Sequence, residues 1–153
     1  MQQQPVIEWA CRPFEQLSTT ELYAILQLRA AVFVVEQASI YQDLDGKDFK
    51  ALHLTGTDNE QLIAYTRLLP PGISYKEPSI GRVVIAPSHR AYGLGRELMK
   101  RSINRCQEQF EQKSIRISAQ LYLKNFYTSL GFEPVGVPYD EDGIPHIEMV
   151  SIH

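Results

Sequence analysis

The segment VVIAPSHRAYGLGRELMKR, residues 83–101, constrains the fold more than any other part of the chain. A β-branched apolar run ends at Pro87, glycines follow at 93 and 95, and an apolar period of helical spacing starts at once. This is a strand turning directly into a helix. A helix N-terminus presents backbone N–H groups and the positive end of its dipole, and glycine keeps side chains away from them, so the turn suits an anion, phosphate in particular. Taken alone, a Gly-x-Gly pair serves a plain tight turn equally well.

The flanking patterns supply the rest of the architecture. VIEWAC alternates as a first strand, and Ser18 stands three residues before Glu21, the capping-box spacing at a helix start. Leu22, Ile25, Leu26, Arg29, Val32 and Phe33 then recur at helical intervals, which sets Arg29 beside the apolar face. EQASIYQDLDGKDFKA is rich in acids and turn formers without a period, and reads as a long loop of functional interest. LHLTGTDNEQLIAYTRLLPPG reads as a hairpin with Asp58, Asn59 and Glu60 near its turn.

SIGRVVIAP holds the densest β-branched run and belongs inside the sheet. A helix follows from Gly93 to about Phe110, with Leu94, Leu98, Ser102, Ile103, Cys106 and Phe110 on one side. SIRISA is a strand, LKNFYTSLGF a short helix closed by Gly131, and two strands end the chain, the last over PHIEMVSI. This order requires an α/β (α+β) fold, a mixed sheet with helices packed on its faces. At 153 residues, one domain covering 1–153 is the default.

Composition narrows the function. Hydrophobic residues at 44% and charged residues at 22% are ordinary for a globular chain, and a net charge of −3 argues against binding the nucleic-acid backbone. Cys11 and Cys106 make neither a disulfide framework nor a metal spacing, and Cys106 reads as a reduced core thiol. MQQQPVIEWA lacks the pattern of a signal peptide and no window approaches 18 consecutive apolar residues, so the expectation is a soluble, cytoplasmic protein without a membrane partner. Asp43, Asp45 and Asp48 have a spacing superficially like a calcium loop but lack its closing bidentate glutamate, so no metal is expected. Homodimers are common among soluble enzymes, but no motif here sets an interface.

Two familiar phosphate motifs are absent. A dinucleotide fingerprint requires a small residue where Leu98 stands, and no Gly-Lys-Ser/Thr of a Walker loop occurs. Arg90-x-x-Gly93-x-Gly95 after the strand ending in VIAP resembles instead the acetyl-CoA motif of the GNAT superfamily of acyl-CoA-dependent N-acetyltransferases. About 30 residues later, QLYLKNFYTSLGF is similar to that family's second signature, Phe-Tyr, three residues, then Gly-Phe. LRAAVFVVEQ, YQDLDGKD, AYTRLL, IGRVVI and DGIPHIEM extend the resemblance to the ElaA-like branch over nearly the whole chain.

The resemblance implies a central, largely antiparallel sheet of six to seven strands flanked by helices, and acetyl-CoA as acyl donor. It implies that Val83, Val84 and Ile85 offer backbone groups to the pantetheine arm, and that Arg90, Ala91, Tyr92, Gly93, Leu94, Gly95 and Arg96 surround the pyrophosphate. An oxyanion donor is expected near Val84 or Ile85, and Tyr127 matches the tyrosine that protonates the departing thiolate. Gln120 stands where the wider family often has an asparagine that contacts the cofactor arm.

The acceptor, a primary amine of a small molecule or peptide, must lose a proton. With a pKa of ~10.4, only about one part in 10³ of such an amine is neutral at pH 7, a burden of roughly 4 kcal/mol. Glu36, His53 and His146 are candidate bases, with an ordered water as the alternative. Arg29, Asp45 and His146 are expected at the acceptor site, where an acidic border from Asp43, Asp45 and Asp48 would attract a cationic amine and Arg29 and Arg67 would favour a carboxylate or phosphate on the substrate. A cofactor-binding sensor with little turnover is the rival from another class; transfer of a longer acyl chain, or lactone synthesis, is the nearer one.

Overall fold

The strands β1 (Glu8–Pro13), β2 (Leu52–Asp58), β3 (Gln61–Leu69), β4 (Ser79–Ile85), β5 (Ser114–Gln120), β6 (Phe132–Glu141) and β7 (Ile144–Ile152) form one sheet. Their order is β1-β2-β3-β4-β5-β7-β6 in the computed structural model, which describes residues 4–152. Every neighbouring pair is antiparallel except β4 and β5, which are parallel. The β-branched strand SIGRVVI thus lies at the centre, as its composition demands.

Both tight hairpins follow from local chemistry. Asn59 and Glu60 take φ of 48° and 68° between β2 and β3, and Asp142 and Gly143 take 52° and 81° between β6 and β7. Positive φ at both central residues gives the turn whose twist matches that of the flanking strands.

Helix α1 (Thr19–Arg29) begins with the capping box, Ser18 Oγ accepting from the Glu21 N–H while Glu21 accepts from the Ser18 N–H, each at 3.0 Å. The helical run continues to Glu36 as a π-helical segment, Ala30–Glu36, with Gln37 N–H donating to Val32 O at 3.1 Å. Ile25, Val32 and Phe33 from this run pack with Tyr65 and Val84 on one face of the sheet. On the other face lie α2 (Leu94–Phe110) and α3 (Lys124–Thr128), which bury Met99, Ile103, Cys106 and Tyr127. Burial pushes the Cys106 thiol up to about 12, which keeps it a protonated core group. No helix among the described residues is long and apolar enough to cross a membrane.

The central parallel pair positions the site. β4 and β5 share one register pair, Ser79 with Arg116, reinforced by Arg116 N–H donating to Pro78 O at 3.0 Å. Beyond it the strands part. β4 also bulges: Tyr65 faces Val84 and Arg67 faces Gly81, so Arg82 and Val83 together oppose Thr66 alone. Arg82 takes φ of 50°, a strained value for a residue with a side chain.

Candidate active site

A cleft of about 1000 Å³ runs through the gap between β4 and β5. Arg90, Gly95 and Phe126 line it, with Val83, Ile85 and Tyr127, and with Ser118, Gln120 and His146. Ladder alternation decides which β4 groups face it. Ala86 N–H donates to Ile63 O at 2.7 Å, so Ala86 and Val84 turn their backbone toward β3 while Ile85 turns its N–H and carbonyl away. Ile85 O indeed accepts from Arg90 Nε at 3.2 Å on that outer side. Of the expected backbone contributors, Val84 turns its backbone to Tyr65 of β3 and packs in the core, while still lining the cleft.

The glycine turn behaves as a phosphate cradle would. Pro87–Tyr92, which contains Ala91, forms a 3₁₀ turn, Gly93 takes φ of 68°, and no side chain caps the N-terminus of α2. Leu94 is buried and offers only backbone there. A Cβ on Gly95 would have Phe126 Cζ, 3.9 Å away, as its nearest neighbour, so the space beside that glycine is open. Arg96 is exposed, donates to Ser129 Oγ at 2.9 Å and lies 5.7 Å from the Phe126 ring. Two motifs distant in sequence thus meet through Gly95, Arg96, Phe126 and Ser129.

Arg90 is not an isolated cation. Its Nη1 and Nη2 donate to Glu36 Oε2 and Oε1 at 2.8 and 2.6 Å. The π-helical segment delivers Glu36 to this position. The hydrogen bond from Arg90, assisted by its charge, holds the Glu36 carboxyl below the usual carboxylate range.

The acidic loop is neutralised rather than presented to a substrate. Arg29 binds Asp43 at 2.9 Å and Asp48 at 2.8 Å, Arg67 binds Asp45 at 2.8 Å and Asp48 at 3.1 Å, and Arg82 lies 2.8 Å from Asp43. Arg29 is fully buried and is not among the residues lining the cleft. The expectation that it contacts the acceptor is corrected: it anchors the loop. Asp45 does line the cleft, paired with Arg67.

His53 is likewise corrected from candidate base to structural residue. It is 1% exposed and lies outside the cleft lining. A carbonyl can only accept, so Nε2–H donates to Asp48 O at 2.9 Å and Nδ1 accepts from the Tyr65 hydroxyl at 2.6 Å. Burial depresses its pKa and keeps it neutral.

Tyr127 is 6% exposed and set edge-on to Phe126 and Phe132, with ring centroids 5.2 and 6.0 Å away. Burial, with a smaller contribution from Tyr122, raises its pKa and keeps the phenol protonated. Gln120 Nε2 donates to Gln37 Oε1 at 3.3 Å, tying β5 to the end of the π-helical segment. His146, opposite Gln120 in the β5–β7 register, has Nδ1 2.7 Å from Ile144 O and Nε2 3.3 Å from Glu141 Oε2.

Residues 18–152 match the family profile described as an acetyltransferase (GNAT) domain. The chain belongs to the GNAT family. ElaA of Escherichia coli is 43% identical over 94% of this chain and 95% of its own. The crystal structure of that relative superposes with a TM-score of 0.90, covering 95% of this chain and 99% of that one at 42% identity. The crystal structure of an acyl-CoA N-acyltransferase from Pseudomonas aeruginosa has a TM-score of 0.91 and 40% identity, with coverage of 95% and 99%.

Several residues in or beside this GNAT cleft escaped the sequence reading. Arg82 was hidden because a non-glycine bulge with positive φ has no local signature. Lys47, which donates to Ser74 Oγ at 2.8 Å, and Tyr139, which hydrogen-bonds Ser118, meet their partners only through the fold. Glu141 had a usable signal: the Asp142-Gly143 turn pairs residues on either side of it, and His146 lies just beyond.

Proposed function

We propose that this chain is an acetyl-CoA-dependent N-acetyltransferase whose acceptor is a primary amine of a small molecule or peptide. The observation that carries the reading is the cleft through the β4–β5 gap, with the uncapped, glycine-bordered start of α2 and the buried Tyr127 along its wall. The 40% identity to a protein described as an acyl-CoA N-acyltransferase supports it.

The residues present suit such a donor. Backbone N–H groups at the start of α2, with Gly93, Gly95 and Arg90, would hold the pyrophosphate, and the outward backbone of Val83 and Ile85 would pair with the pantetheine amides. Acetyl-CoA supplies the acyl thioester that the amine attacks. The outward N–H of Ile85 receives the negative charge that develops on the carbonyl oxygen. Tyr127, kept protonated by burial, passes its proton to the departing thiolate.

Glu36 serves best as the partner that fixes Arg90. A carboxylate held by both guanidinium nitrogens is a weak base.

The test is the product. Protein incubated with acetyl-CoA and a panel of alkyl, aromatic and peptide amines should yield an amine heavier by one acetyl group in mass spectrometry. A rise in melting temperature with acetyl-CoA, but no acylated amine, would favour the cofactor-binding sensor instead.

A further inference from the structure

The two faces of the splayed sheet carry different chemistry. Ile117 and Ala119 of β5 pack with Tyr127 on the α2–α3 face, so by alternation Ser118 and Gln120 project from the opposite face, where they line the cleft. His146 lies directly across from Gln120, and Tyr139 directly across from His146. The His146 ring stacks on Tyr139 with centroids 6.1 Å apart, and only 7% of the residue is exposed.

Its two nitrogens face two oxygens. The Ile144 carbonyl, 2.7 Å from Nδ1, can only accept, so Nδ1 carries a proton. Nε2 then turns its lone pair toward the Glu141 carboxylate at 3.3 Å, another acceptor. At that distance a proton taken up by Nε2 is donated directly to the carboxylate, so the pair stabilises the imidazolium once it forms.

We propose that His146, oriented by Glu141, takes the proton from the acceptor's alkylammonium; the inference rests on the acyltransferase reading. The ammonium nitrogen gives one proton to Nε2 and becomes a neutral amine. The resulting imidazolium donates Nε2–H to Glu141 and Nδ1–H to Ile144 O. The amine nitrogen bonds to the acyl carbon as the C–S bond breaks. The proton that nitrogen sheds replaces the one Tyr127 gives the thiolate, and the proton on His146 leaves to solvent. Tyr127 and His146 stand on opposite faces, so acid and base act from opposite sides of the gap.

The surroundings favour a cation. Arg67, Arg82 and Arg90, which line the cleft, are held by Asp45, Asp43 and Glu36. Glu141 and Asp142 line the cleft as well, with Lys47 hydrogen-bonded to Ser74. Around His146, β6 brings Tyr139 and Glu141, β5 brings Ser118 and Gln120, and Glu148 of β7 is tied to Arg116 at 3.4 Å. Tyr75, from the β3–β4 connection, has its phenol pushed up to about 12 by burial and by the nearby Tyr139, Glu148 and Glu141.

The experiment combines kinetics with ring-nitrogen NMR. In wild type, the ¹⁵N spectrum should show His146 as the Nδ1–H tautomer. His146→Gln should lower kcat/KM about 100-fold, the usual scale for general base catalysis. It should also abolish the acidic limb of the pH profile, with the rise in melting temperature caused by acetyl-CoA unchanged. Glu141→Gln should lower kcat/KM about tenfold with the melting-temperature rise caused by acetyl-CoA unchanged, and Glu141→Asp should recover part of that loss. An Nε2–H tautomer, or an acidic limb unchanged in His146→Gln, overturns the proposal while amine-dependent turnover of wild type stands. Absence of turnover in wild type with every amine overturns the acyltransferase reading and this inference together.

Discussion

Glu36 and Arg90, 54 residues apart in sequence, meet in the cleft through two hydrogen bonds of 2.8 and 2.6 Å. The pair is nearly half exposed, so its contribution to stability is small. Its consequence is for the proposed donor binding, where the carboxylate would compete with a pyrophosphate for the same N–H groups. Glu36→Gln should tighten acetyl-CoA binding by about threefold and leave the acidic limb of the pH profile in place. Arg90→Ala should weaken binding roughly five- to tenfold. Titration calorimetry measures both, and weaker binding by Glu36→Gln would contradict the competition.

Gly95→Val separates cradle from turn. Gly93 has positive φ, so any substitution there adds backbone strain, whereas Gly95 has open space around its Cβ position. The expected result is a folded variant with an unchanged circular dichroism spectrum and acetyl-CoA affinity reduced by at least ~30-fold, the loss of about 2 kcal/mol of phosphate contacts. Unchanged affinity would remove the cradle from the mechanism.

The arginine–aspartate network under the acidic loop makes stability depend on acid. Burial raises the Asp45 carboxyl, but hydrogen bonds from Arg67 and the Lys47 N–H and the charges of Arg67 and Arg82 outweigh it and bring it to about 2. Asp48 is lowered in the same way by Arg29 and Arg67. A depressed folded-state pKa gives stability that is full above the unfolded value of ~3.9 and lost as pH falls toward 2. Urea unfolding should show Asp45→Asn less stable at pH 7 by on the order of 1–2 kcal/mol, with the difference shrinking between pH 4 and pH 2. A constant difference would show that the ion pairs do not set this dependence.

His53 affects folding rather than turnover. Its neutral, buried ring cannot take up the proton that the unfolded chain binds, so stability falls as pH drops below about 6.5. His53→Ala leaves the Tyr65 hydroxyl and Asp48 carbonyl without this partner, at a cost of about 1–3 kcal/mol. Chemical denaturation should register that loss, while the pH dependence of kcat/KM with a good acceptor keeps its acidic limb.

Periodicity and turn chemistry made most of the fold legible. The capping box at Ser18, the central strand, the amphipathic face of α2 and the hairpin at Asn59 all rest on neighbours in sequence, and local rules read them. The cleft depends on long-range facts. Whether β4 and β5 separate after Ser79 is decided by where α2 returns the chain, not by SIGRVVI or SIRISA. Arg29 looked like an acceptor contact because a charge on an apolar helix face invites a functional reading. Asp43 and Asp48, 14 and 19 residues away, satisfy it instead. Three acids in DLDGKD matched by arginines at 29, 67 and 82 formed a balance visible in the sequence, but the pairing required the fold.

Amine-dependent thiol release by wild type and Tyr127→Phe tests the central claim most directly. The ring of Tyr127 supports the core against Phe126 and Phe132, and phenylalanine keeps it, so the variant should fold and bind acetyl-CoA as wild type does. Wild type should release one thiol per acylated amine, and the variant should do so about 10²–10³-fold more slowly, the range for loss of a general acid. Equal rates in the two proteins, or thiol release that no amine accelerates, would contradict the account.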